Sequence, residues 1–243
     1  MNFNNKRFYY PIILGDNITL YGPEHHHLAN VSRCKLEEKV TVFNGDAYDY
    51  TYEIVAIQRD ETKLKFISKI KNTKNPTVNL TVFLGLIKLD NLALVVEKLT
   101  EIGVTKLVPF VCGNSNIGAK TIRVEKLTSI SAQSCKQCGR SIPIQIENTL
   151  SFQNMISVIR GIDMVYYADL TETANRITRT GKLGTQRPKE IAIIIGPEGG
   201  FTKDETIAIK NNSTPITLGA RTLRSETAAI VGATLVLNLF GEI

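Results

Sequence analysis

Residues 191–205 read IAIIIGPEGGFTKDE and predict a strand, a turn and a helix start in close succession. The run 191–195 is short, rich in β-branched side chains and followed by glycine and proline, which is typical of a strand buried on both faces. The glycine pair at 199–200 can adopt positive φ and lets another backbone or a ligand approach closely. Thr202 and Glu205 form a T-x-x-E capping box, so we expect a helix to begin directly after Thr202.

A similar arrangement follows in residues 216–229, which read ITLGARTLRSETAA. A short strand ends at Gly219, a loop carries Arg221 and Arg224, and an apolar helix is predicted from about residue 225 to 239. In open α/β sheets, ligands bind at the carboxyl ends of the strands. Turn chemistry alone would explain either loop, but two such loops at one sheet edge favour a ligand site.

Composition indicates a globular chain with a basic surface. The 243 residues are 43% hydrophobic, and 29 Lys and Arg stand against 23 Asp and Glu, which gives a net charge of +6. This balance suits a polyanionic partner but is also found in proteins that bind no nucleic acid. No apolar run approaches the roughly 20 residues of a membrane-spanning helix, and the first residues lack a signal-peptide core. We therefore expect a cytoplasmic protein.

Neither the cysteines nor the histidines predict a metal site. Cys135 and Cys138 form one C-x-x-C within a predicted helix, without a second pair at zinc-ligand spacing. Three consecutive histidines, 25–27, point in directions about 100° apart on a helix and cannot converge on one ion. We expect at least one of them to be structural, with His26 and His27 as candidates for an RNA-facing surface near Arg33.

The hydrophobic pattern divides the chain near residues 71–76, which are polar and break both periodicities. Residues 1–73 alternate as strands and predict a small β domain or barrel. Residues 76–243 alternate between strands and helices, which predicts a mainly parallel sheet of about six strands. The predicted strands are 80–86, 106–111, 142–146, 164–167, 191–195 and 216–218, and the longer predicted helices are 91–102, 124–138, 152–159 and 225–239.

With these motifs the chain resembles the ribosomal RNA small subunit methyltransferase E family of the SPOUT superfamily, over nearly its full length. The resemblance implies an α/β protein: a PUA-like β-barrel domain, then a methyltransferase domain with a trefoil knot. It also implies a homodimer that uses S-adenosyl-L-methionine (SAM) to methylate N3 of a uridine in 16S rRNA of the 30S subunit. The motifs that carry it are His26-His27-Leu28 with Val31 and Arg33, KLTEIGV at 98–104, QCGR at 137–140, IGPEGGFT at 195–202 and LGARTLRSETA at 218–228.

The resemblance and the loop chemistry together give a candidate cofactor site without metal. Backbone groups of the two glycine loops would hydrogen-bond the adenine, the ribose and the methionine part of SAM, and apolar side chains would form the walls. The candidate cofactor residues are Leu84, Gly85, Ile195, Gly196, Pro197, Gly199, Gly200, Leu218, Gly219, Leu223 and Ala228.

The candidate catalytic residues follow from the chemistry of uridine. N3 carries a proton at neutral pH, so a guanidinium of Arg221 or Arg224 beside the uracil carbonyls would stabilise the developing anion. Glu226 or Glu198 could accept the proton. Alternatively, Glu226 favours a helix N-terminus by its charge, and Arg224 pairs with it. For the RNA, Lys6, Arg7, Arg33 and Arg140 are expected to contact phosphates, which would position the substrate without reading its bases.

Three other functions compete with this hypothesis. Ribose 2′-O methylation is one, because related SPOUT proteins share the knot, and an RNA-binding protein without catalytic activity is another. A nucleotide-binding α/β protein is disfavoured because neither G-x-x-x-x-G-K-[ST] nor G-x-G-x-x-G occurs. The chain also departs from the family at residues 113–123, where Arg and Ser residues commonly follow the strand and this chain reads GNSN at 113–116, so its RNA contacts there are open.

Overall fold

The computed structural model describes residues 6–12, 15–115, 122–169 and 188–243. The chain divides into two compact units, the first formed by Met1–Asn75 and Ala132–Pro143 and the second by Pro76–Ser131 and Ile144–Ile243. The first unit is therefore assembled from two segments that are distant in sequence. The domain boundary between residues 73 and 76 stays a prediction, and the inclusion of residues 132–143 in the first unit was not anticipated.

The first unit is built on a five-stranded sheet of order β1-β3-β4-β5-β2. Strands β1 and β3 are parallel, whereas the other pairs are antiparallel. Alternate side chains such as Leu20, Val42 and Leu64 fill the core, as expected for half-buried strands. The strands are β1 (Arg7–Tyr9), β2 (Asn17–Tyr21), β3 (Lys39–Phe43), β4 (Tyr48–Ile57) and β5 (Glu61–Lys71), and a short helix α1 (Gly22–His26) continues into a π-helical turn (His27–Val31).

A buried ion pair in the first segment of this unit forms hydrogen bonds with residues of the second segment. Arg7 donates from both terminal nitrogens to the Asp49 carboxylate, at 2.8 Å each, and from one of them to the Arg140 carbonyl at 2.9 Å. The Ser141 hydroxyl also donates to Asp49. Burial favours a raised pKa of Asp49, but the hydrogen bonds from Arg7 and Ser141 and the charge of Arg7 outweigh it, so the pKa lies below its ordinary value.

The second unit contains a sheet of seven strands in the described residues, one more than expected, and all its recorded strand pairs are parallel. Its strands are β6 (Asn79–Gly85), β7 (Lys106–Val111), β8 (Gln145–Ile146), β9 (Leu150–Ser151), β10 (Met164–Ala168), β11 (Glu190–Ile195) and β12 (Thr214–Ile216). The strand order in the sheet is β12-β10-β11-β6-β7-β8, and β9 also pairs with β7.

Five helices belong to this part of the chain. They are α2 (Leu89–Ile102), α3 (Val124–Cys138, whose last residues belong to the first unit), α4 (Phe152–Ile159), α5 (Lys203–Lys210) and α6 (Ser225–Leu239).

Strand β11 occupies the middle of this sheet, between β10 and β6, as its apolar run predicted. Ile191, Ile193 and Ile195 pack in one core with α2 and α6, while Ala192 and Ile194 pack in the other with α4 and α5. Helix α6 lies close to the sheet at Gly232, where a Cβ would come within 2.6 Å of the Ile193 side chain. Helices therefore cover both faces of the strand.

The α/β class, the β-rich front unit and the mainly parallel sheet are confirmed. The predicted strand 142–146 is reduced to Gln145–Ile146, since residues up to 143 belong to the first unit. The trefoil knot stays a prediction. Among the described helices, none combines the length and the apolarity that a membrane-spanning segment needs.

We predict that Asp49→Asn destabilises the first unit. Arg7, whose side chain is 8% exposed, would lose its buried counter-charge, which typically costs about 3–5 kcal/mol. Because the folded-state pKa of Asp49 is depressed, its contribution is present above the unfolded-state pKa and is lost as the pH falls through the folded-state value. The deficit of the variant should therefore be large at pH 7 and shrink in acid, in urea unfolding followed by circular dichroism. Asp60→Asn, at an exposed site, is the control, and an equal deficit in both variants would contradict the prediction.

Candidate functional site

A cavity of about 420 Å³ opens in the second unit at the carboxyl ends of β10, β11 and β12. This volume is within the range of small-molecule sites, about 300–1,000 Å³. Because the three strands are parallel, their following loops emerge at one edge and surround a common space. The lining residues are Tyr167, Ala168 and Asp169 at the end of β10, Ile195, Gly196, Pro197, Glu198, Gly200 and Phe201 at the end of β11 and in the turn that follows, Leu218, Gly219, Arg221, Thr222, Leu223, Arg224 and Ser225 after β12, and Thr206 and Ala228 from the helices.

The first glycine loop is a tight turn that ends in the predicted capping box. Gly200 has φ +66° and its N–H donates to the Pro197 carbonyl at 2.9 Å. The Thr202 hydroxyl accepts from the Glu205 N–H at 3.3 Å, and the Glu205 carboxylate accepts from the Thr202 N–H at 2.9 Å. At Gly196, a Cβ would lie 3.0 Å from the Phe201 ring, so a larger residue there would press on the ring.

The second loop joins β12 to α6 and contributes backbone as well as charge. Gly219 has φ +114°, which favours glycine, and its N–H donates to the Thr217 hydroxyl at 3.2 Å. Arg221 and Arg224 are exposed at the rim of the cavity. The two loops therefore frame a space with a partly apolar wall and a basic rim.

Eight of the eleven candidate cofactor residues line this cavity: Ile195, Gly196, Pro197, Gly200, Leu218, Gly219, Leu223 and Ala228. Leu84, Gly85 and Gly199 are not among the lining residues. Leu84 is part of the core, and a Cβ at Gly85 would lie 2.4 Å from the Pro197 ring. At Gly199, a Cβ would lie 2.6 Å from the Asn114 carbonyl oxygen. These three residues therefore pack behind the residues that line the cavity and do not face it.

Tyr167 and Asp169, at the end of β10, line the cavity but were missed by the sequence analysis. The Tyr167 hydroxyl donates to the Asp169 carboxylate at 2.8 Å, and the Asp169 side chain is 12% exposed. Burial, helped by this hydrogen bond, raises the pKa of Tyr167, so the phenol stays protonated and remains a donor. The predicted strand 164–167 could have indicated these two residues, because the carboxyl ends of parallel strands lie at the same edge of the sheet as the glycine loops.

Glu226 lies in the first turn of α6 but is not among the residues that line the cavity. The residue is 9% exposed, and its Oε2 atom is buried without a hydrogen-bond partner in the described part of the chain. None of the ion pairs of the described residues joins Glu226 to Arg224, as the alternative predicted, and Arg224 lies at the cavity rim.

Two of the six candidate RNA residues are buried within the first unit. Arg7 pairs with Asp49, and Arg140 is 2% exposed, so their expected contact with phosphates is not supported. Burial also lowers the pKa of Arg140 relative to its ordinary value. Basic residues were expected at the surface, but a carboxylate 42 residues away in sequence provides Arg7 with a buried partner.

The other four candidate RNA residues differ in how exposed their side chains are and in whether they already have a partner. Lys6 pairs with Glu38 at 2.8 Å. His27 is half-buried against Phe8, with ring centroids 5.5 Å apart, and burial is the main cause that lowers its pKa. His26 and Arg33 are exposed, and Arg33 has φ +49°. These two are the most accessible of the six.

The three adjacent histidines do not share a site. The nitrogens of His25 contact the Thr62 hydroxyl at 2.8 Å and the Arg59 carbonyl at 3.1 Å, whereas His26 contacts Asn30. No group of three or more metal-ligating side chains occurs within residues 6–12, 15–115, 122–169 and 188–243.

Comparison with known proteins assigns both parts of the chain. The RNA methyltransferase domain family matches residues 73–237, and the RNA methyltransferase PUA domain family matches residues 20–67. The first match covers the cavity and both glycine loops, and the second lies within the five-stranded sheet unit.

Two relatives are similar over nearly the whole chain, and both are ribosomal RNA small subunit methyltransferase E proteins. The protein from Rickettsia conorii is 29% identical over 235 residues, which cover 95% of this chain and 93% of the relative. The protein from Buchnera aphidicola subsp. Acyrthosiphon pisum is 30% identical over 227 residues, which cover 89% and 86% of the two chains.

A solved structure has the same fold. Ribosomal RNA small subunit methyltransferase E from Neisseria gonorrhoeae, bound to S-adenosyl methionine, superposes with a TM-score of 0.81 at 22% identity and covers 97% of this chain and 98% of its own. The domain matches, the relatives and the fold agree. The chain belongs to the ribosomal RNA small subunit methyltransferase E family and carries an RNA methyltransferase domain.

Proposed function

We propose that this protein transfers the methyl group of SAM to N3 of a uridine in 16S rRNA of the small ribosomal subunit. The observation that carries the proposal is the cavity between the two glycine loops, in a chain of this family. The family resemblance further leads us to propose a homodimer that acts in the cytoplasm.

The residues of the cavity fit the cofactor. Gly196 and Gly219 line the cavity and, lacking side chains, let the polar atoms of an adenosine approach the backbone. Ile195, Leu218 and Leu223 give the apolar wall that a purine requires. The carboxylate of Asp169 lies at the end of β10, between β11 and β12 in the sheet, and suits ribose hydroxyls or a positive charge. When bound, SAM supplies an electrophilic methyl group, and no metal is needed.

The basic rim suits the acceptor. Uridine N3 becomes nucleophilic when its proton leaves, and the negative charge then spreads to the flanking carbonyl oxygens. Arg224 and Arg221 present guanidinium groups at the cavity rim, where they would stabilise this charge. Glu198, also exposed at the rim, is the proposed proton acceptor. Glu226 lies outside the lining, and its proposed role is now structural, at the positive end of α6.

The first unit is proposed to hold the RNA. Among the candidate residues, Arg33 and His26 have exposed side chains that could reach a phosphate or a base. Phosphate contacts of this kind set the position of the substrate, while the cavity selects the reacting atom.

The proposal predicts one product. Incubation of the full chain with labelled SAM and either 30S particles or naked 16S rRNA, followed by digestion to nucleosides and mass analysis, should yield N3-methyluridine. Labelled 2′-O-methylated nucleosides would instead establish ribose methylation. Binding of both SAM and RNA without any labelled nucleoside would establish a protein without catalytic activity.

Replacement of Arg224 should separate catalysis from cofactor binding. We expect Arg224→Ala to lower kcat by about 10²–10³, the usual cost of one anion-stabilising donor, and to leave SAM affinity within about threefold because backbone groups provide most of the proposed contacts. Arg160→Ala removes an exposed arginine that is not part of the cavity and serves as the charge-matched control. Equal activity of the two variants in a single-turnover assay would refute this role of Arg224.

A further inference from the structure

The segment after β7 docks on the outer side of the first glycine loop. The Asn114 side-chain amide donates to the Gly199 carbonyl at 3.1 Å, and the Gly113 N–H donates to the Glu205 carboxylate at 2.8 Å. A Cβ at Gly113 would lie 2.8 Å from the Thr202 methyl group, so the two segments are in close contact. The described residues 113–115 of this loop belong to the stretch that departs from the family pattern.

The Glu205 carboxylate connects α5 to the end of the first glycine loop and to the loop after β7. Its Oε2 accepts from the Thr202 N–H at 2.9 Å and closes the capping box of α5. Its Oε1 accepts from the Gly113 N–H, which belongs to the loop after another strand. A capping box needs only the first of these bonds. The second bond therefore fixes the position of the loop after β7 relative to the turn.

The same end of β7 supports the turn through an aromatic contact. The Phe110 and Phe201 rings are stacked with an interplanar angle of 5° and centroids 6.2 Å apart. Phe201 lines the cavity, whereas neither Phe110 nor Asn114 does. The loop after β7 therefore contacts the cavity indirectly, through the turn at residues 196–201 and the start of α5, whose Thr206 also lines the cavity.

We propose that Asn114 and Glu205 are positioning residues, which hold the outer side of this turn so that its inner side keeps the conformation that binds SAM. The inference rests on the proposed function, since it concerns the affinity of the same cavity. If the turn is released, the binding-competent conformation is populated only part of the time. The apparent Kd then rises by the inverse of that fraction.

Two isosteric variants test the inference. Asn114→Asp replaces the donor with a carboxylate that faces the Gly199 carbonyl, and Glu205→Gln keeps the size of the side chain but can accept only one of the two N–H groups. We expect each to raise the SAM Kd about five- to tenfold by calorimetry, in line with the loss of one hydrogen bond. The KM for SAM should rise in parallel, with kcat at saturating SAM within about twofold.

Thr105→Ala is the matched control, because it removes one side-chain hydrogen bond, to the Leu80 carbonyl, at the amino end of β7 and away from the turn. A purely structural role would lower the active fraction, and thus kcat, at an unchanged Kd. If the unmodified protein binds SAM and both variants bind it as tightly as Thr105→Ala, the positioning role is refuted while the proposed function stands. If the unmodified protein binds no SAM, the positioning role and the proposed function are both refuted.

Discussion

The parallel pairing of β11 with β6 on one side and β10 on the other is the constraint on which the rest of the second unit depends. Six residues of β11 pair with β6 and four with β10, and its apolar side chains are buried in cores on both faces. Because β11 is paired on both sides and covered on both faces, the loop that follows it must leave the sheet at the edge formed by the carboxyl ends of the strands. The turn at residues 196–200 therefore emerges in the middle of that edge, and β12, paired with β10, brings the second glycine loop to the same side.

The chemistry of the site follows from this placement. Loops that meet at a sheet edge offer backbone donors and acceptors, and glycine at positions such as 196 and 219 keeps that backbone accessible. Charged side chains occupy the rim, where arginines are exposed, whereas Asp169 is held close to the wall by Tyr167. Backbone groups inside the cavity and positive charge at its entrance suit a small cofactor within the cavity and an anionic substrate at its rim.

Local signals explain what the sequence predicted correctly. The apolar run 191–195, the glycine turn and the Thr202–Glu205 capping box involve neighbouring residues, and all three are present in the structure. The residues of the site that were missed depend on long-range pairing. Nothing local to Arg7 indicates Asp49 as a buried partner, and the hydrophobic period cannot place residues 132–143 in the first unit. Asp169 likewise becomes part of the site only because β10 pairs with β11.

Hydrogen exchange of the full chain, followed by mass spectrometry with and without SAM, tests the central claim that the two glycine loops form one binding site. We predict slower exchange in peptides that cover residues 194–201 and in peptides that cover residues 217–225, with α4 and the first unit unchanged. Protection of one loop alone, or of neither, would contradict the claim.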